Sequence, residues 1–287
     1  MVKRIKVQKE KSLEFWLWDA ACSIHGEVDA VKYKDFILPL VFIKRLCDVF
    51  DDEINRIATK LKKSRGQALA LIEKDHTLVR FYIPLKPADL ESQPIWSVVR
   101  NLTDKVGERL DDIMREIARE NPRLEGIIDR AHFNATTHGV RIITDEGLIR
   151  LVEKISQKPL GLDEVEADII GKSYEYLIRK FAEDGGQSAG EFYTPGEVGM
   201  LMAEIIETEP GMEVYDPCCG SAGLLIKAQI AVEKSRGKKD DCSLKLYGQE
   251  AIASTWAMAN MNAVIHDMEC KIELDDTMRR PKFKDGN

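Results

Sequence analysis

One stretch constrains this chain most: Gly211-Met212-Glu213-Val214-Tyr215-Asp216-Pro217-Cys218-Cys219-Gly220-Ser221-Ala222-Gly223-Leu224. Apolar Val214 and Tyr215 run into an acidic residue, a tight loop with two glycines follows, and an apolar helix opens at Leu224. This is a strand–loop–helix unit, with a crevice at the strand's carboxyl end, where ligands bind in parallel α/β sheets. The loop is not a phosphate loop, because no Gly-Lys-Ser/Thr ends it. Nor does it carry the three glycines of the dinucleotide fingerprint. Taken alone, it also fits a bare tight turn.

Its flanks narrow the reading. Upstream lies Gly190-Glu191-Phe192-Tyr193-Thr194-Pro195, and downstream lies Lys245-Leu246-Tyr247-Gly248-Gln249-Glu250, a second short strand ending in an acid. An acid in that position accepts hydrogen bonds from a ribose diol in doubly wound folds. It equally suits the start of a helix, where the macrodipole favours negative charge. Phe192 and Tyr193 are read either as ligand-facing rings or as ordinary core aromatics.

With these strings in this order, the chain resembles the modification (methyltransferase) subunit of type I restriction–modification systems. Those subunits are adenine-N6 DNA methyltransferases that use S-adenosylmethionine. The resemblance spans nearly the whole chain and is sharpest from about Asp168 to Glu250. It implies an α-helical N-terminal domain followed by the first part of a Rossmann-like α/β methyltransferase domain. It also implies that Glu191, Phe192, Tyr193, Thr194 and Pro195 cover the methionine end of the cofactor, beside Asp216, Gly220, Ser221, Ala222 and Gly223. Glu250 falls to the ribose. Asp276 falls near the adenine, with Asp275 as the neighbouring alternative and a plain turn acid as the rival. The implied partners are DNA, a specificity subunit and a restriction subunit.

One departure matters. Such enzymes carry Asn-Pro-Pro-Phe or a close variant after strand four, where it holds the flipped adenine. This sequence has no Asn-Pro-Pro; Asn121-Pro122 is followed by Arg123 and sits among helices. The expectation is therefore an amino-terminal fragment, truncated before strand four, with no catalytic residue of its own. Such a chain alone transfers no methyl group. The alternative is a non-catalytic assembly or DNA-binding module with a vestigial cofactor pocket. A methyltransferase acting on protein or small molecules is disfavoured by the Gly190–Pro195 string.

Composition sets outer limits. The 287 residues are 44% hydrophobic and 32% charged, with net charge −7. That length suggests two domains. No run of about 18 apolar residues marks a membrane span, and no secretory signal opens the chain. Six cysteines without a regular framework fit a reduced, cytoplasmic protein. Cys218-Cys219 lack a second ligand pair and read as small loop residues, not a zinc site. The five histidines show no paired spacing. An acidic chain lacks the overall basic bias of an isolated DNA binder. Lys3 to Lys11 and Lys62-Lys63-Ser64-Arg65 are candidates for phosphate contact, or simply solvated surface.

Apolar spacing gives the rest. Leu13–Cys22 reads as a short helix. Ile37, Leu40, Val41, Cys47, Phe50, Ile54 and Ile57 recur every three or four residues, one face of a long helix from Tyr33 or Asp35, with Pro39 about its first turn. Residues 76–96 read as irregular, with a short strand at Val79–Ile83. Helices are expected over 98–119, 124–132 and 145–156. Asp163 with Glu166 reads as a capping pair opening a helix to about Glu183. Residues 1–180 thus form a helical domain and 181–287 a partial methyltransferase domain, joined by the glycine-rich 184–190. In the second part, helices at 196–206, 222–235 and 251–264 alternate with strands at 213–216, 244–249 and 271–274.

Overall fold

The computed structural model describes residues 12–24, 32–184, 194–236 and 243–284. Its amino-terminal part is helical: α1 (Leu13–Cys22), α2 (Tyr33–Leu61), α3 (Arg65–Ile72), α4 (Ser97–Arg100), α5 (Val106–Glu120), α6 (Asp145–Ile155) and α7 (Ala167–Asp184). A two-residue hairpin, β1 (Thr136–Thr137) and β2 (Val140–Arg141), precedes α6. No helix among the described residues is long and apolar enough to cross a membrane.

The axis of this part is α2. Its three-and-four spacing buries Ile37, Leu40, Val41, Cys47, Phe50 and Ile54, as the sequence expects. Pro39 lies inside the helix, beyond the first turn, where it removes one backbone hydrogen bond. A second stripe on α2 is polar and also buried. The Arg45 guanidinium donates to the carbonyls of Leu160, Gly161 (2.6 Å) and Val165 (3.1 Å). Asp48 accepts from the Leu160 N–H at 2.6 Å, and Asp51 from the Ile95 N–H at 2.7 Å. Buried polar groups persist only when so matched. These bonds fasten the loops before α4 and α7 to the central helix.

Several expectations fail locally. No strand forms at Val79–Ile83; the Tyr82 N–H goes instead to the side chain of Asn121, 2.9 Å away. The helix expected over 98–119 is two helices, parted where Lys105 turns left-handed (φ 48°) before α5. Residues 124–132 hold only short 3-10 turns. Asp163 does not cap α7, which starts at Ala167; its carboxylate pairs with Arg56 at 2.6 Å. Arg65 is unavailable to phosphate, because it binds the Leu90 carbonyl (2.8 Å), Asn55 (2.7 Å) and Asp51. Lys62 and Lys63 remain exposed, and the basic stretch from Lys3 to Lys11 lies outside the described residues.

The second part begins with α8 (Gly196–Ile206) and continues as β3 (Glu213–Asp216), α9 (Gly223–Arg236), β4 (Lys245–Glu250), α10 (Ala253–Ile265) and β5 (Cys270–Leu274). The three strands form a parallel sheet in the order β3-β4-β5, with Asp216 opposite Gly248 and Glu250 opposite Leu274. Short crossovers through α9 and α10 require this parallel arrangement. A small core of Ala222, Leu225, Ala228, Leu246, Ala259 and Ile272 fills the covered face. The helix α10 faces two ways: Ala257, Met258, Met261 and Ile265 join the core of the helical part. Val198, Leu201, Ile205 and Ile206 of α8 are exposed, as is Tyr215 on the outer strand.

Candidate cofactor site

Both strand ends that carry an acid open on the same edge. Asp216 ends β3 and Glu250 ends β4. The loop between β3 and α9 turns through two left-handed residues, Gly220 (φ 54°) and Ala222 (φ 63°). Gly223, which the sequence marks as the second special residue, has ordinary backbone. Ala222 therefore carries strain of roughly 1–2 kcal/mol that a glycine would not; it is fully buried in the small core. The loop is clamped from three sides. The Cys219 N–H donates to the Gln249 carbonyl (3.0 Å), the buried Asn262 amide of α10 donates to the Ser221 carbonyl (3.0 Å), and the Gly220 N–H donates to the Glu250 carboxylate (3.1 Å). The other Glu250 oxygen accepts from the Ile252 N–H at 2.8 Å, so Glu250 sets both the loop and the turn into α10.

Asp216 accepts from the Cys218 N–H at 3.0 Å, an Asx turn that starts the loop. Burial pushes its carboxyl above the usual aspartate range, and the Cys218 N–H pulls it part of the way back. A positive charge placed nearby would favour its ionised form. A Cβ built on Gly220 meets nothing within 4 Å, so the loop backbone faces open space. Gly248 of β4 serves otherwise: a Cβ there would stand 2.9 Å from the Cys219 sulfur, so only glycine lets the loop seat against the strand.

The residues named from sequence group unevenly. Thr194, Asp216, Gly220, Ser221 and Gly223 line one cavity of about 90 Å³, with Gly196, Cys218 and Cys219. Pro195 stands at the amino end of α8, its carbonyl accepting from the Gly199 N–H. Ala222 lies behind the loop. Glu250 joins through Gly220. Asp276 does not face this cavity: its carboxylate binds the Met278 N–H (2.9 Å) and pairs with Arg279, the behaviour of a turn acid. Its turn is tied to the loop nonetheless, since the Thr277 hydroxyl donates to the Pro217 carbonyl. Glu191, Phe192 and Tyr193 lie outside the described residues. The two charged wall residues that escaped the sequence reading are Glu175 of α7 and Lys227 of α9. Nothing in their local pattern sets them apart from other helical charges. A larger concavity of about 800 Å³ opens at the amino ends of β4 and β5 and holds none of the motif residues.

The two thiols of the loop differ. Cys218 is exposed, whereas burial and the nearby Asp216 and Glu250 carboxylates push the Cys219 thiol up to about 12. Cys270, half-buried in β5, is likewise pushed up to about 12 by its desolvation. The thiolate is the reacting form. At mildly alkaline pH, iodoacetamide is expected to label Cys218 and the exposed Cys22 and to spare Cys219 and Cys270. Peptide mass mapping reads this out; equal labelling of Cys218 and Cys219 would mean that the loop is not seated on β4.

Comparison with known proteins gives a consistent outline. Residues 13–155 match the HsdM N-terminal domain, and residues 165–287 match the N-6 DNA Methylase family. The type I restriction enzyme MjaIX methylase subunit of Methanocaldococcus jannaschii is 25% identical over 94% of this chain and 48% of that protein. The HindI methylase subunit of Haemophilus influenzae is 30% identical over 57% of this chain and 37% of that protein. Among solved structures, the type I restriction-modification system methyltransferase subunit from Streptococcus thermophilus superposes with a TM-score of 0.71 at 23% identity, over 96% of this chain and 61% of that one. It has the same fold. The chain spans about half the length of the MjaIX relative.

Proposed function

The chain belongs to the family of type I restriction enzyme methylase subunits, and from that premise we propose that it carries the cofactor half of an adenine-N6 DNA methyltransferase. The ligand is S-adenosylmethionine, which supplies a methyl group on a sulfonium. It lies along the crevice bounded by Thr194–Pro195, Asp216–Gly223 and Glu250, with Glu191, Phe192 and Tyr193 as candidates from the sequence. The observation that carries this reading is the Glu250 carboxylate at the end of β4 reaching the Gly220 N–H at 3.1 Å. An acid one strand over from a glycine loop, and bonded to it, suits a ribose on one side and a methionine end on the other. The half-buried Asp216 carboxylate favours the cofactor's positive charges. Asp276 is kept as an adenine-side candidate because its turn is tied to the loop by the neighbouring Thr277 hydroxyl on the Pro217 carbonyl.

The helical domain, residues 1–180, contacts a specificity subunit and helps clasp DNA. A restriction subunit completes the assembly, which works in the cytoplasm. With net charge −7 and Arg65 occupied internally, much of the grip on DNA comes from partners. Residues 181–287 form a partial methyltransferase domain. The acceptors that orient a target amine, Asn-Pro-Pro-Phe in such enzymes, are not among the 287 residues. Positioning of this kind is a large part of an enzyme's rate. The chain is therefore expected to bind cofactor and to leave adenine unmethylated. A transfer assay with methyl-labelled cofactor and adenine-containing duplexes, with and without the specificity subunit, tests this. Stoichiometric or faster labelling of adenine by the 287-residue chain would overturn it.

A further inference from the structure

The wall of the loop cavity contains a buried ion pair contributed by both halves of the molecule. Lys227 of α9 places its Nζ 2.8 and 2.6 Å from the two carboxylate oxygens of Glu175 on α7. Their side chains are only 12% and 10% exposed. His266 of α10 approaches the same carboxylate at 3.7 Å. Gly199 of α8 lies beside the Lys227 stem, where an added Cβ would be 3.5 Å from its Cγ. Both residues line the cavity that also holds Thr194, Asp216 and Gly220.

Stability does not explain such a pair. Removing two charges from water costs about what their attraction returns, and an apolar pair of similar volume often does as well. What the pair supplies is a fixed cation and a fixed anion at one end of a small cavity. A lysine ammonium has three N–H donors, and Glu175 takes two of them.

We propose that Lys227, held in place by Glu175, receives the amino-acid end of the cofactor. Its ammonium takes the α-carboxylate, while Glu175 and Asp216 face the α-ammonium. The zwitterion thus meets a matching pair of charges, and a residue of the helical part helps to hold a ligand of the α/β part. This rests on the reading that the crevice binds S-adenosylmethionine.

The test compares two ligands that share the adenosine and sulfur but differ at this end. S-adenosylhomocysteine has the amino-acid group, and 5′-methylthioadenosine lacks it. Calorimetric titration of the 287-residue chain is expected to show that Lys227→Met weakens S-adenosylhomocysteine about tenfold or more. Affinity for 5′-methylthioadenosine should stay unchanged, which also shows that the variant folds. The double variant Glu175→Gln/Lys227→Gln leaves no lone buried charge and is expected to show the same selective loss. Equal weakening of both ligands, or no weakening of either, would overturn the proposal and return the pair to a packing role. Failure of the unsubstituted chain to bind either ligand would remove the underlying cofactor reading as well.

Discussion

Glu250→Ala is expected to weaken S-adenosylmethionine binding by about 1–3 kcal/mol, the usual cost of leaving buried polar partners unmatched. Two effects add in the same direction. The substitution removes the acceptor proposed for the ribose diol. It also frees the Gly220 and Ile252 N–H groups, which the carboxylate holds at 3.1 and 2.8 Å, so the loop must be ordered anew on binding. Asp216→Ala belongs in the same range, because it removes a half-buried acid and the Asx turn to Cys218 that starts the loop. Calorimetry on each variant gives the answer. Unchanged affinity in both would move the site elsewhere.

Gly171→Ala is expected to destabilise the fold, against the ordinary rule for helices. Gly171 lies inside α7, where replacing glycine by alanine normally gains about 1 kcal/mol of helix propensity. Here the new Cβ would stand 2.4 to 2.6 Å from the ring of His266 on α10. The ring has nowhere to go, being only 6% exposed, so either helix must shift. Overpacking of this kind costs typically about 1–3 kcal/mol. The steric cost outweighs the propensity gain, and the net effect is a lower denaturation midpoint. Because α7 also carries Glu175, a shift there should loosen the cavity wall and weaken cofactor binding too. A raised midpoint would show that the α7–α10 contact yields easily.

The contrast between these two predictions shows what the chain's letters reveal. Glu250 and Asp216 were legible because each ends an apolar strand, a short-range pattern. The long apolar face of α2 was legible for the same reason, since its three-and-four spacing is set by helix geometry. Gly171 was not legible. Its meaning depends on a histidine almost a hundred positions away, brought over it by the packing of α10. Lys227 and Glu175 were hidden likewise, since each resembles any solvated helical charge until the two helices meet. Ala222 went unrecognised as a left-handed residue because alanine gives no local warning of positive φ, whereas Gly223, which drew attention, has none. The strand expected at Val79–Ile83 failed because the side chain of Asn121 met the Tyr82 backbone groups in place of a neighbouring strand. The cap expected at Asp163 failed because Arg56 took its carboxylate. In both cases a tertiary partner outcompeted a local preference.

The central claim is a location: S-adenosylmethionine lies across the carboxyl ends of β3 and β4. Photolabelling tests it most directly. The 287-residue chain is irradiated with radiolabelled S-adenosylmethionine, digested and mapped by mass spectrometry, with excess S-adenosylhomocysteine as competitor. The account predicts competable label on peptides containing Thr194–Pro195, Asp216–Gly223 or Glu250. Competable label confined to other segments, such as the concavity at the amino ends of β4 and β5, would contradict it.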